Sequence, residues 1–244
     1  TAPDPREALQ RMSVYLGTLD AFEVQSDSTL DLITVDDQKI DVGAVTTYKV
    51  SRPSSFVIDS RTDRRSRRFI FDGSRLTVYS PALGYYASVP LSGSIAEVLD
   101  AAAEEYGVTP PLVDLFHWSD PAADPHEILE AEYIGPATVD GVETDQFAFR
   151  EADVDWQIWI RRGDAPVPMK VAIVDRIDPT QPEFTARLTW NTSPGFSADT
   201  FAFNPDGDDR PIQFAAQGGC HETLYPEDRR NRRRRRPDLP GSSR

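Results

Sequence analysis

The chain has 244 residues, with 26 basic and 40 acidic side chains and a net charge of −14. Eight of the basic and four of the acidic residues fall after residue 214, which leaves residues 1–214 with 18 basic and 36 acidic side chains, a net −18. Such a body repels nucleic-acid phosphates and anionic surfaces over most of its area, its length buries a core without staples, and no apolar run reaches the roughly 20 residues that span a bilayer.

The one cysteine, Cys220, excludes an internal disulfide and a thiolate metal cluster. The chain opens on Thr1-Ala2-Pro3-Asp4-Pro5, which suits a mature N-terminus left after a signal peptide is removed, so export is expected.

Residues 5–19 read as a helix. Asp4 can cap it, Pro5 takes the first helical position, and Leu9, Met12, Leu16 and Leu19 share a stripe. An extended stretch follows from Phe22, with Val24, Ser26, Ser28, Leu30 and Leu32 on one face and the charges mostly on the other. Residues 38–50 make the next strand, and another starts after Arg52-Pro53. Residues 66–89 carry the clearest signal. Phe69 and Phe71 alternate with Arg68 and Ile70, Asp72-Gly73 makes a tight turn, Leu76 and Val78 alternate with Thr77 and Tyr79, and a Pro/Gly corner leads to a third strand.

The pattern breaks at 92–116. Ser92 or Ser94 caps a helix to Tyr106 with Ile95, Val98, Leu99 and Ala102 on one face, and Gly107 ends it. A short helix starts at Pro110-Pro111, and 118–126 reads as a loop. Residues 127–133 fit no single period. From Tyr133 strands resume, at 142–150, 155–162, 167–176 and 183–191, and 199–206 is expected to close the fold. Beyond Gln217 the Arg-rich, Pro-containing sequence cannot bury enough apolar area to fold, so 215–244 is read as a disordered tail and 1–214 as one domain.

The fold class is therefore α+β. A sheet of about ten or eleven antiparallel strands must curl or close, and two helices are too few to coat it flat. The economical form is an unclosed half-barrel around the N-terminal helix and a helical lid at about 92–126. Three segments carry a family resemblance: Leu16-Gly-Thr-Leu-Asp-Ala-Phe-Glu-Val24, the hairpin Phe69–Tyr79, and Gly135–Val142 followed by Trp156-Gln-Ile-Trp-Ile160. From about residue 5 to 206 the chain resembles a family of uncharacterised predicted periplasmic proteins grouped in the LolA/LolB-like lipoprotein-carrier superfamily. The resemblance implies a periplasmic half-barrel with a hydrophobic cavity. Members of that superfamily carry lipoprotein acyl chains, and relatives sense lipoproteins or envelope stress.

No cofactor or metal site is expected. Asp114-x-x-His117-x-x-Asp120 lacks a second closely spaced His, and His126-Glu127 adds none. His221 beside Cys220 lies in the tail, Thr1 sits on a loose end, and pairs such as Asp153 and Asp155 are expected by chance among 40 acids. Nucleophile-elbow, P-loop and dinucleotide motifs are missing.

The candidate ligand surface is hydrophobic: Leu16, Phe69, Phe71, Leu99, Leu112, Leu115, Phe116, Phe147, Phe149, Trp156 and Ile158. The plain alternative is that these fill an ordinary core. The candidate partner surface is Arg61, Arg64, Arg65, Arg67 and Arg68, against the alternative of charge balance with acidic neighbours. The leading reading is a monomeric, non-enzymatic periplasmic carrier for an acyl chain or lipoprotein. Behind it stands an envelope interaction or sensor module with a filled core, and last an enzyme using carboxylates and His117.

Overall fold

The computed structural model of the chain describes residues 2–36, 38–117 and 128–214. The elements run α1 (Pro5–Gly17), β1 (Ala21–Ile33), β2 (Lys39–Ser51), β3 (Ser55–Thr62), β4 (Ser66–Phe71), β5 (Arg75–Ser80), β6 (Tyr85–Pro90), α2 (Ile95–Tyr106), α3 (Asp114–His117), β7 (Glu130–Val139), β8 (Val142–Arg150), β9 (Val154–Arg161), β10 (Pro168–Asp175), β11 (Glu183–Asn191), a 3-10 turn (Ala198–Phe201) and β12 (Arg210–Pro211).

All twelve strands join one sheet in the order β12-β6-β5-β4-β3-β2-β1-β11-β10-β9-β8-β7. Two antiparallel meanders, β1–β6 and β7–β11, meet where β1 pairs with β11. The end strands β12 and β7 do not pair with each other, so the sheet stays unclosed. Residues from β1 to β11 enter one buried cluster with α1, α2 and α3. The sheet is therefore wrapped around the helices, which occupy its concave face.

Local chemistry explains the helices. The Asp4 carboxylate accepts the Glu7 backbone N–H at 2.9 Å, and Ala8, Met12 and Leu16 then repeat at four-residue spacing on the buried face of α1. In α2, Ser94 and Glu97 form a reciprocal capping box, and Gly107 ends the helix in the left-handed region at φ 64°. At the β4–β5 turn the Asp72 carboxylate accepts the N–H groups of Ser74 and Arg75 at 2.8 and 2.9 Å, and Gly73 takes φ 97°.

Of the ambiguous stretch 127–133, residues 130–133 open β7, a sheet edge with a register shift between Tyr133 and Gly135 and a proline at 136. A bulge and a proline both blunt an edge against further pairing. The segment expected to close the fold, 199–206, does something else. After β11 the chain makes the 3-10 turn and crosses the convex face as a strap. The Phe203 ring packs on Tyr79 and Tyr86 at 5.3 and 5.0 Å, and the Tyr79 hydroxyl donates to Asp209 at 3.2 Å. Among the described residues of the strap, Arg210–Pro211 alone pair with the sheet, in parallel with Tyr85 and Tyr86 of β6. Pro194, Pro205 and Pro211 each lack the N–H that a longer strand would need.

Candidate functional site

Register across the sheet sorts the concave face into rows. Phe22, Val50, Phe56, Phe71, Leu76 and Val89 stand side by side, and the next row is Val24, Tyr48, Ile58, Phe69, Val78 and Ala87. The helices lie over these two rows. The Tyr48 hydroxyl donates to the Pro111 carbonyl at 3.0 Å, and Phe116 packs on Tyr48 and Phe56.

Further along the strands the face turns small and polar. Ser26, Thr46 and Ser60 form the third row, ending at Arg67, and Ser28, Ala44 and Thr62 form the fourth, with Ala186 beside Ser28. Ser26, Ser28 and Thr46 are buried but satisfied: Ser28 donates to the Ala44 carbonyl at 3.2 Å and Thr46 to Ser60 at 3.1 Å. Beyond them the face becomes apolar again. Leu30 pairs with Val42 and Leu32 with Ile40, and the Leu30 row continues through Phe184, Ile173, Trp156 and Phe149. This outer strip is only half covered. Leu32 is 38% and Ile40 44% exposed, and Leu30, Val42, Ile173 and Trp156 are intermediate.

Of the eleven residues expected to line a cavity, ten lie in the packed core. Leu16, Phe69, Phe71, Leu99, Leu112, Leu115, Phe116, Phe147, Phe149 and Ile158 are each at most 5% exposed and share one cluster. Trp156 alone sits at its margin. It stacks on Phe149 at 4.3 Å and donates from Nε1 to Glu151 at 2.9 Å. The strip residues Leu30, Leu32, Ile40 and Val42 were absent from the expected set. Their signal was present as alternation in two long strands, but alternation does not tell a covered face from an uncovered one.

The arginines divide between the two faces. Arg67 follows the concave row of Ser60 and Thr46, while Arg61 and Arg68 alternate to the convex face, where Arg68 pairs with Asp59. Arg64 and Arg65 occupy the β3–β4 turn, and all five are exposed.

The carboxylates read as anchors. Burial works to raise the Asp145 pKa, but hydrogen bonds from Arg162 at 2.6 Å and Tyr133 at 2.9 Å outweigh it and hold the group below the usual range. Asp155 is held down chiefly by its paired hydrogen bonds from Arg150, with Arg176 adding charge. A general acid needs its pKa raised toward neutrality, the opposite direction. Among the described residues, no group of three His, Cys, Asp or Glu stands close enough to hold a metal. The Asp114 and His117 side chains, Thr1, the segment 118–127 with Trp118, Asp120 and His126, and the tail 215–244 with Cys220 and His221 lie outside the described residues.

The family model described as predicted periplasmic protein (DUF2092) matches residues 6–215. No curated protein matches the chain. Among solved structures, an uncharacterised conserved protein from Thermus thermophilus is 7% identical with a TM-score of 0.49, covering 85% of this chain and 98% of that one. LprF from Mycobacterium bovis is 16% identical with a TM-score of 0.46, covering 85% and 100%. A LolA superfamily protein from Nitrosomonas europaea is 10% identical with a TM-score of 0.34, covering 83% and 99%.

Proposed function

The chain belongs to the DUF2092 family of predicted periplasmic proteins, and from that premise we propose that it is a non-enzymatic binding protein that shelters an acyl chain or other hydrophobic group. The observation that carries this reading is the half-covered strip of Leu30, Leu32, Ile40 and Val42. These side chains are apolar, lie on the inner face of a curved sheet, and continue into Ile173 and Trp156 of the other meander. Contiguous apolar surface of this kind marks a place where something else is bound. Each methylene transferred there from water contributes about 0.8 kcal/mol, so a long chain gains enough to bind and stays weak enough to leave.

The helices α2 and α3, the described part of the lid expected at about 92–126, would be the element that lets a chain pass deeper, between the helices and the small-residue rows. Among the described residues, the helices and the concave rows pack into one buried cluster. This favours a second reading, an envelope interaction or sensor module in which the core holds no ligand. Native mass spectrometry of the purified chain, with uptake of the uncharged probe N-phenyl-1-naphthylamine, separates the two. A binding protein shows probe fluorescence that Leu32→Glu with Ile40→Glu abolishes while the melting temperature stays within about 2 °C, since both positions are exposed. A wild-type chain that takes up neither probe nor lipid would leave the interaction module as the surviving reading.

A further inference from the structure

The antiparallel meander places the β1–β2, β3–β4 and β5–β6 turns at the same end of the sheet, the end where the apolar strip lies uncovered. Charge at this end is segregated by face. In β1–β4 every acidic residue, Glu23, Asp27, Asp31, Asp41 and Asp59, falls on the convex alternation. The concave alternation of the same four strands holds one charged side chain, Arg67. Arg64 lies beside it in the β3–β4 turn, and among the described residues neither guanidinium has a carboxylate partner. Within a body of net −18, chance placement would have put acids on both faces. The concave face of β1–β4 carries no carboxylate on its strands, Asp63 standing in the β3–β4 turn, and with Arg67 and Arg64 at its border, neither paired with a carboxylate among the described residues, it is suited to receive negative charge.

We propose that the concave mouth binds a single-chain amphiphile with an anionic oxygen head, its alkyl chain lying along Leu30, Leu32, Ile40 and Val42 and its head meeting Arg67 and Arg64. This rests on the hydrophobic-binding reading and specifies its ligand class. The geometry suits it: strands rise about 3.3 Å per residue, so the strip and the arginine corner are separated along the sheet by no more than a few residue pairs, a span that an extended chain covers. Arginine suits the head because its fork of donors matches carboxylate and phosphate oxygens. The strand carboxylates of β1–β4 that would compete for the guanidinium groups are turned to the other side of the sheet.

The test is displacement of N-phenyl-1-naphthylamine from the full chain by dodecanoate, dodecyl phosphate and dodecanol at low ionic strength. Both anions are expected to compete at concentrations about tenfold lower than the alcohol, in line with two arginines near one charge. Arg64→Glu with Arg67→Glu should erase that preference without changing displacement by dodecanol. Arg61→Glu, on the convex face, should keep it. Equal competition by all three amphiphiles in the wild type, or a preference that survives the double reversal, overturns the proposal and leaves the arginines to an acidic protein partner. Should the probe and all three amphiphiles fail to bind, the hydrophobic-binding reading falls as well, so the two failures are told apart.

Discussion

Asp145 and Asp72 show how single side chains fix this fold and its response to acid. Burial opposes ionisation of both, yet the Arg162 and Tyr133 hydrogen bonds at Asp145, and the Ser74 and Arg75 bonds at Asp72, pull each pKa below its ordinary value. A carboxylate with a depressed native pKa stabilises the fold above its unfolded pKa, here 3.8, and that contribution is lost as pH falls through the native value. Stability is therefore expected to be flat from about pH 5 upward and to drop below about pH 4. Asp145→Asn should shrink that drop, as read from urea midpoints at pH 3.5 and 7. An unchanged acid slope would show that the Arg162 pair contributes nothing. Beside Asp72, Gly73 at φ 97° has little room for a side chain, because a Cβ would stand 3.3 Å from Ser54 Oγ and 3.4 Å from the Ser54 carbonyl. Gly73→Ala should cost about 1–2 kcal/mol by denaturant titration. This residue was readable from the Asp-Gly pair alone, since only a few turn types connect adjacent strands so tightly.

At the scale of elements, what could be read depended on whether a segment states its own ends. The helix α2 does so through Ser94, Glu97 and Gly107, and β8 and β11 match their expected spans because turn residues bound them. The edge strand β7 did not declare itself. Its burial alternates only between exposed and intermediate over most of its length, and Gly135 and Pro136 interrupt it, so neither period dominates. The two ends of the helical segment hold differently. Ser94→Ala removes the Oγ that accepts the Glu97 backbone N–H and should cost about 1 kcal/mol. Tyr48→Phe removes the hydrogen bond that ties the sheet's floor to the turn before α3, again about 1 kcal/mol. If the helices act as a lid, both variants should speed hydrogen exchange in α2 and raise the rate of probe uptake. Faster exchange with no change in uptake would mean that α2 is a fixed wall and that ligands stay on the outer strip.

The whole molecule is a curved sheet with a different covering on each face, and only one of them was evident beforehand. The concave side followed from counting: too many strands and too few helices for a flat arrangement. That its aromatic residues would pack to closure, leaving Leu32 and Ile40 uncovered farther out, depends on how far β1 and β2 outrun their neighbours, and register is invisible in a single strand's alternation. The convex strap had no periodic signal either, because isolated aromatics among prolines and glycines look like loop. Its role shows in what it hides. Val57, Ile70 and Thr77 lie on the convex alternation, pair side by side, and are no more than 6% exposed. The 3-10 turn contacts β3 there, Phe203 covers Tyr79 and Tyr86, and Phe214 reaches Tyr106 at the end of α2 at 5.1 Å. The strap thus binds β6, the convex face and α2 with one piece of chain. Phe203→Ala should cost about 1–3 kcal/mol, less than a fully buried Phe because the ring is half exposed. It should also open a second apolar surface. In the Leu32→Glu, Ile40→Glu background, where the concave strip no longer takes up N-phenyl-1-naphthylamine, Phe203→Ala should restore probe fluorescence from the convex side. A chain that loses neither stability nor shielding on this substitution would show that the backbone of the strap, through its hydrogen bonds from Arg210 to Gly84 and Ile212 to Tyr86, holds that face without the ring.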